Sequence, residues 1–234
     1  MKKTFSIILF AAMLFPSCTR EKEVTFDHPL EIEVAPAAAG QKTLDILWLH
    51  LEEGETAPEI SRDILLSVTP EGASVSSAMA SDLSYSLEGV EARAAIYGKT
   101  GVCAASLPKG NTPSACKLRE EQVSALLDQT LYAHEGVSWI IAASMQSPSP
   151  LDSKYGLQED VEGFSGANEL MTFGPLVDCV AGQNSIFTPS SSDGTRWDFI
   201  YAGIGAWPLM SPVSYVTDLG LAHYPAVFSI TAED

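Results

Sequence analysis

The sequence predicts an all-β fold, an antiparallel β-sandwich with one short helix. Many short apolar stretches of strand length are separated by clusters of glycine, proline and serine, which favour turns. A single stretch has the spacing of an amphipathic helix. The chain has 234 residues, of which 46% are hydrophobic. This is enough for one large β domain, and it excludes wholesale disorder.

The predicted strands follow one another along the chain with turn-rich spacers between them. Apolar and acidic residues alternate in Leu30 to Val34, which is typical of a half-buried strand because successive side chains point to opposite faces. Longer apolar runs predict buried strands. The other predicted strands are Leu44 to Leu51, Asp63 to Val68, Ser84 to Leu87, Val90 to Tyr97, Val137 to Ser144, Trp197 to Ala202 and Tyr224 to Ala232.

One helix is predicted, over Ser114 to Asp128. Leu118, Val123, Leu126 and Leu127 can share one face of it at helical spacing. Its first residue is a serine, a residue type that caps helix N-termini. We expect a short helix, of a couple of turns.

The N-terminus resembles the signal segment of a bacterial lipoprotein. Lys2 and Lys3 precede the apolar run Phe5 to Phe15, which is shorter than the roughly 20 residues that span a membrane. The following "LFPSC", Leu14 to Cys18, looks like a lipobox. The resemblance implies cleavage before Cys18 and lipidation of its sulfur. The alternative is a secreted chain in which Cys18 is an ordinary thiol.

These observations predict a signal peptide at residues 1–17, a tether at 18–27 and one β-sandwich domain at 28–234. A palmitate-type anchor would place the protein at the outer membrane, facing the cell surface. The formal net charge is −17. An acidic chain is repelled by nucleic acid, so the charge predicts no nucleic-acid partner and favours a soluble, exposed surface.

The cysteines leave two interpretations open. Cys103 and Cys116 are close in sequence and could form a disulfide across a hairpin in an oxidising compartment. Alternatively, these two and Cys179 are small buried apolar residues. Their spacing is not that of a zinc site.

The search for catalytic motifs predicts no enzyme, no metal site and no cofactor. The four histidines, His28, His50, His134 and His223, never stand four residues apart. H-E-x-x-H, G-x-S-x-G and P-loop patterns do not occur. Adjacent acidic pairs such as Glu52 and Glu53 are more typical of a solvated face than of the separated carboxylates of a glycosidase.

Four segments, taken in order, resemble the fimbrillin-like family, the lipoprotein pilins and accessory subunits of anaerobic Gram-negative bacteria. They are "ARAAIYGKTG" (Ala92 to Gly101), "YAHEGVSWIIAASMQSP" (Tyr132 to Pro148), "WDFIYA" (Trp197 to Ala202) and "LGLAHYPAVFSI" (Leu219 to Ile230). The resemblance implies a transthyretin-like β-sandwich. It treats the last two segments as structural strands rather than as parts of a site.

The resemblance also implies assembly by strand exchange, in which a strand of a neighbouring subunit fills an open groove. In the relatives, a protease opens the groove by cutting after an arginine, and Arg62 and Arg93 are the candidates here. Pilins usually carry a second sandwich after the histidine strand, whereas this sequence stops at Asp234. The resemblance therefore implies either a one-domain relative or a chain whose polymerising half is absent. An uncut, lipid-anchored chain is therefore the expectation.

The sequence thus predicts a non-enzymatic cell-surface lipoprotein, acting as a fimbrial subunit, anchor or adhesin. Its partners would be other fimbrial subunits or surface ligands of host or bacterium. The alternative is a glycan-binding outer-membrane lipoprotein of a polysaccharide-uptake system, with Trp207 stacking on sugar. A third hypothesis is a hydrolase, which would require a histidine and an acid to converge in one pocket.

Overall fold

The computed structural model describes residues 41–152, 165–184 and 187–233. The strands are β1 (Gln41–His50), β2 (Ile64–Thr69), β3 (Gly72–Ser77), β4 (Leu83–Ser86), β5 (Glu91–Tyr97), β6 (Thr100–Ser106), β7 (Ser138–Ser144), β8 (Leu176–Asp178), β9 (Asp198–Gly203), β10 (Ser214–Tyr215) and β11 (Ala226–Glu233). The helices are α1 (Pro113–Gln129), α2 (Gly166–Thr172) and α3 (Cys179–Gln183).

The strands form two mixed sheets. The order in the five-stranded sheet is β10-β11-β1-β2-β3, and in the six-stranded sheet it is β4-β5-β6-β7-β9-β8. Strand β1 pairs in parallel with β2, and β6 pairs in parallel with β7, while the other pairs are antiparallel. A parallel pair needs a crossover connection, and α1 lies in the crossover between β6 and β7.

Two cores hold three layers together. The first fills the space between the two sheets, with Trp48 of β1 and Ile200 of β9 among its members. The second lies between the six-stranded sheet and the helices, with Leu126 of α1 and Phe199 of β9 among its members. Strand β9, which lies between β7 and β8, is buried on both faces, as expected for a continuous apolar run.

The predicted helix is longer than expected and begins one residue earlier. Thr112, rather than Ser114, caps α1, because its hydroxyl accepts a hydrogen bond from the backbone N–H of Ala115 at 3.3 Å. Val123, Leu126 and Leu127 are buried as predicted. Leu118, by contrast, is 44% exposed.

The prediction of an all-β antiparallel sandwich with one short helix is wrong. Two parallel strand pairs and three helices make the described part of the chain a mixed α/β sandwich. The strand predictions from 44 onward correspond to observed strands, but β3, β6, β8, β10, α2 and α3 have no counterpart among the predicted elements. The strand predicted at Leu30 to Val34 lies outside the described residues. Within the described ranges, no helix has the length and apolar character needed to cross a membrane.

Gly101 is required where β6 meets β7. It pairs with Trp139, and a Cβ at Gly101 would lie 2.6–2.8 Å from atoms of the indole ring. We expect Gly101→Ala to lower the free energy of unfolding by about 1–3 kcal/mol, because overpacking forces side chains or backbone to move. Gly203→Ala is the matched control, since its Cβ would meet Trp139 backbone at an ordinary 3.6 Å. Urea denaturation compares the two, and equal stabilities would refute the clash.

Candidate functional site

Two histidines and one aspartate from distant parts of the chain meet at one end of the sheets. His50 is the last residue of β1, Asp198 is the first of β9, and His223 precedes β11. The Nδ1 atom of His50 lies 2.8 Å from Asp198 Oδ1. The Nδ1 atom of His223 lies 2.5 Å from Asp198 Oδ2. The two imidazole rings are tilted by 30° to each other, with centroids 3.7 Å apart.

Asp198 carries its charge in the interior. Its carboxylate has no exposed surface. Burial alone raises the pKa of Asp198, but the hydrogen bonds from His223 and His50 outweigh it, and the net shift of the pKa is downward. An ionised carboxylate only accepts hydrogen bonds. Both Nδ1 atoms therefore donate to Asp198, and the second nitrogen of each neutral ring, Nε2, is left with its lone pair.

Glu52 faces the Nε2 edges of both rings. Its Oε1 atom lies 3.5 Å from His223 Nε2 and 4.0 Å from His50 Nε2. Lys109 donates to the same oxygen at 2.9 Å. The hydrogen bond from Lys109 is the main reason that the pKa of Glu52 is lowered. Burial lowers the pKa of His223. The hydrogen bond to Asp198 and the charges of Asp198 and Glu52 raise this pKa by more, so it lies above its usual value.

Glu55 holds the backbone around this cluster. Its Oε2 atom accepts from the N–H of Glu52 at 2.8 Å, and its Oε1 atom accepts from the N–H of Ala222 at 2.7 Å. One carboxylate therefore ties the segment that carries Glu52 to the segment that carries His223. The arrangement fixes the distance between the two sides of the cluster.

A polar cavity of about 250 Å³ opens beside His223. Its lining comes from the ends of several strands and consists of Lys109, Gln146, Ser191, Ser192, Asp193, Trp197, Ala222 and His223. Gln146 has a φ of 50°, which is uncommon for a residue other than glycine and often marks a functional position. Its side-chain amide donates to Ser144 at 2.8 Å.

A buried ion-pair network supports the start of β9. Arg196 binds both oxygens of Asp178, at 3.0 and 2.6 Å, and its Nε donates to Asp152 at 3.0 Å. The guanidinium also lies 4.4 Å from the centre of the Phe199 ring. Burial lowers the pKa of Arg196, but the two carboxylates raise it more, so the side chain stays charged. This network fixes the strand end from which Asp198 projects.

Arg119 of α1 supports the other side of the cavity. Its Nη1 atom donates to the carbonyl of Pro108 at 2.9 Å and to that of Gly110 at 2.5 Å. These carbonyls flank Lys109, and the Arg119 side chain is buried. The loop that presents Lys109 to Glu52 is therefore anchored in the interior.

The residues singled out from the sequence do not form a site together. Cys18 lies outside the described residues, and its lipidation stays a prediction. Arg62 is exposed in the loop before β2, where it donates to the Ile60 carbonyl at 2.6 Å. Arg93 is in β5, whose backbone pairs with β4 and β6. A cut at that position would have to open the sheet.

The cysteines and Trp207 also lie elsewhere. Cys103 in β6 and Cys116 in α1 are both free and buried, and burial raises the pKa of the Cys103 thiol. Trp207 is half-buried and packs against the core between the sheets. Its ring reaches the α3 backbone at Gly182, so part of the ring serves packing rather than a sugar-binding surface.

The sequence motifs did not predict a site at His50, Asp198 and His223, because such motifs require short spacings. His50 is 148 residues from Asp198, and His223 is 25 residues from it. A signal was present, since each of the three polar residues adjoins an apolar strand, in "LWLHL", "RWDFIYA" and "LAHYPAV". Only the sheet order shows that these strand ends coincide.

Comparison with known proteins gives the fold. No protein-family model matches the sequence, and no curated protein matches it. Among solved structures, an AP endonuclease from Archaeoglobus fulgidus is similar, with a TM-score of 0.61 and 16% identity over 82% of this chain and 99% of that one. The endonuclease domain of TRAS1, a telomere-specific non-LTR retrotransposon, is also similar, with a TM-score of 0.58 and 10% identity over 81% and 98%.

These likenesses contradict the resemblance to fimbrillin-like proteins. The fold is the α/β sandwich of the two endonucleases, and the two parallel strand pairs of this chain do not fit the antiparallel sandwich that the resemblance implied. The same likenesses contradict the predictions that came with the resemblance, namely a fimbrial subunit, anchor or adhesin with fimbrial or surface partners. They also contradict three predictions made on other grounds: a glycan-binding lipoprotein, from Trp207; the absence of enzymatic activity, from the missing motifs; and the exclusion of nucleic acid, from the net charge.

Proposed function

We propose that this protein is a hydrolase of phosphodiesters, with a nucleic-acid backbone as its first candidate substrate. The observation that carries the proposal is the buried Asp198, which orients the imidazoles of His50 and His223 beside a polar cavity. This is the convergence of histidine and acid in one pocket that a hydrolase requires. The substrate class is suggested by the two similar structures, an AP endonuclease and a retrotransposon endonuclease domain.

The chemistry follows from the tautomer that Asp198 imposes. Because each Nδ1–H is held by the carboxylate, the free lone pairs are on the Nε2 atoms. Such a lone pair activates water by accepting its proton or by holding a metal ion that acidifies it. The activated oxygen attacks phosphorus, the bond from phosphorus to the leaving oxygen breaks, and a proton is returned to that oxygen.

The cavity provides groups that suit a phosphate. Lys109 brings a positive charge, and its side chain is 67% exposed, so it is free to turn from Glu52 toward a ligand. The amide of Gln146 and the hydroxyl of Ser192 are donors on the same wall. Trp197 adds an aromatic surface at the cavity, of the kind on which bases stack.

The net charge of −17 does not by itself prevent the protein from binding a nucleic-acid backbone. Phosphate contacts are made by local groups, and nearby cations determine the potential at a cleft. The sequence-based exclusion of nucleic acid used the total charge alone. Binding of a phosphate depends instead on the cations that lie at the cavity.

The proposal is tested by turnover of the purified protein on two substrates. They are a duplex DNA that contains an abasic site and bis(4-nitrophenyl) phosphate, each assayed with Mg²⁺, Mn²⁺ or Zn²⁺. We expect hydrolysis, and a fall of at least about 100-fold in His223→Ala, which is the smaller end of general acid–base effects. His134→Ala is the control, since His134 lies beside Tyr85 and Trp139 instead.

Two results would contradict the proposal. One is the absence of turnover on both substrates with every metal ion. The other is turnover that survives in His223→Ala. Cleavage of the small ester without cleavage of DNA would keep the hydrolase and remove the nucleic-acid substrate.

A further inference from the structure

We infer that His50, His223 and Glu52 bind one divalent transition-metal ion of the Zn²⁺ class, with Asp198 orienting both imidazoles from behind. This metal site coincides with the site of the proposed function, and the charge balance described below rests on that function. The metal site can be tested without a substrate.

The first step is the direction of the ligand atoms. Both Nδ1 atoms donate to Asp198, so in the neutral rings the Nε2 atoms present lone pairs on the opposite edge, where Glu52 lies. Histidines that bind metals usually donate their other N–H to a carboxylate, which fixes the ring and raises its basicity. Here one carboxylate performs that role for two rings.

The distances between the ligand atoms are close to those around one metal ion. Zn²⁺ binds imidazole nitrogen at about 2.0–2.1 Å in tetrahedral sites, which places neighbouring ligand atoms about 3.4 Å apart. Glu52 Oε1 lies 3.5 Å from His223 Nε2 and 4.0 Å from His50 Nε2. The centroids of the two rings, which are tilted by 30°, lie 3.7 Å apart. A small approach of Glu52 brings its Oε1 atom to the ligand spacing from both Nε2 atoms.

The third step is the identity of the carboxylate ligand. Asp198 also lies within reach of both histidines, but its two oxygens already accept hydrogen bonds at 2.8 and 2.5 Å. An ion on that side would have to displace both. Glu52 is 41% exposed, and Lys109, which binds it, is more exposed still. Glu52 can therefore exchange an ammonium for a metal ion.

The charges of the cluster also favour a bound cation. Asp198, Glu52 and Asp193 bring three carboxylates to the cluster and its cavity, and Lys109 is the cation that pairs with Glu52. Without a further cation, the excess of negative charge at the cluster would repel a phosphate ester. A dication held by Glu52 offsets it. Glu55, which ties the Glu52 backbone to the segment before His223, keeps the ligands close before an ion arrives.

The chemical type of the ligands determines which metal ion the site prefers. Two imidazoles and one carboxylate suit Zn²⁺ and its neighbours, whereas Mg²⁺ prefers an all-oxygen set. Three protein ligands also leave one position for water, as in catalytic zinc sites. We therefore expect Zn²⁺ and Co²⁺ to bind and Mg²⁺ not to compete at equal concentration.

The experiment is equilibrium dialysis of the chelator-treated full chain against Zn²⁺, with the visible spectrum of the Co²⁺ form as a second readout. We expect one ion per chain and the intense bands of tetrahedral Co²⁺. Glu52→Gln should weaken binding by more than about tenfold, since even outer partners of metal ligands cost 10–100-fold. Glu53→Gln, at the exposed neighbouring acid, should bind as the wild type does.

Lys109→Met separates a metal site from a simple ion-pair cluster. Lys109 competes for Glu52 Oε1, so its removal should leave Zn²⁺ binding as tight or tighter. The inference is overturned if the wild type binds no ion, if Mg²⁺ displaces Zn²⁺ at equal concentration, if Glu52→Gln binds as well as the wild type, or if Lys109→Met binds less tightly. Thermal unfolding of each variant shows that it is folded.

The result also separates this inference from the proposed function. Stoichiometric Zn²⁺ binding without turnover supports the metal site and removes the hydrolase. Turnover by a protein that binds no ion at His50, His223 and Glu52 overturns the metal site and keeps the hydrolase.

Discussion

Replacing Asp198 with asparagine is expected to lower phosphodiester turnover by about 10- to 10⁴-fold, the range found when the carboxylate behind a metal-bound or catalytic histidine is lost. The two Nδ1 atoms donate to different oxygens of Asp198, and the amide replaces one of these oxygens with an NH₂ group, which donates instead of accepting. At least one histidine must then change tautomer or move. Its Nε2 lone pair is lost to the site.

Asp198→Asn has nearly the shape of the wild-type side chain, so the fold is expected to survive. Turnover, far-ultraviolet circular dichroism and thermal unfolding are measured on the same preparation. Asp218→Asn is the control, because Asp218 is exposed in the described structure and contributes to the same net charge. A variant that is folded and as active as the wild type would show that Asp198 does not orient the histidines.

Replacing Arg196 with methionine is expected to lower the free energy of unfolding by about 3–5 kcal/mol, as when one partner of a buried ion pair is removed. Asp152 and Asp178 would remain in the interior without the guanidinium that binds them. Urea denaturation measures the change. Arg93→Met is the control, at an exposed position of β5, and should stay within about 0.5 kcal/mol of the wild type.

A second set of substitutions tests the cause of that loss. If buried, uncompensated charge is responsible, adding Asp152→Asn and Asp178→Asn to Arg196→Met should recover part of the stability, because neutral amides are cheaper to bury than carboxylates. If the three-residue variant is no more stable than Arg196→Met alone, lost packing on Phe199 is the better explanation. A loss below about 1 kcal/mol in Arg196→Met would contradict the account.

The sequence was informative about individual strands. Runs such as "LDILWLHL" and "SWIIAAS" are buried strands as predicted, because local periodicity reports which residues face a core. Strand β6, "TGVCAAS", was not predicted, because its small residues lie between turn-forming clusters. The short helix α2 carries only Ala167, Asn168 and Met171 inward, too few to show a helical period.

Strand direction and sheet order could not be read from the same patterns. A strand that pairs in parallel and one that pairs antiparallel have the same apolar content once both faces are buried. The antiparallel sandwich was therefore an assumption at β1 with β2 and at β6 with β7. The structure contradicts it at those two pairs.

The resemblance to fimbrillin-like proteins failed for a related reason. Its best segments, "WDFIYA" and "LGLAHYPAVFSI", are strand β9 and the approach to β11. Short apolar strands preceded by a polar residue occur in many folds. The polar residues in these two segments, Asp198 and His223, are the ones that meet in the candidate site. They were interpreted as structural, although they are the informative positions.

The measurement that tests the central claim most directly is the mass of the phosphate product after turnover in heavy-oxygen water. The claim is that water activated at the His50–Asp198–His223 cluster attacks phosphorus. It predicts that wild-type protein places one heavy oxygen atom in each product phosphate group, and that His223→Ala yields almost no product. Unlabelled phosphate, which would mean cleavage at carbon, or labelled product formed equally by His223→Ala, would contradict it.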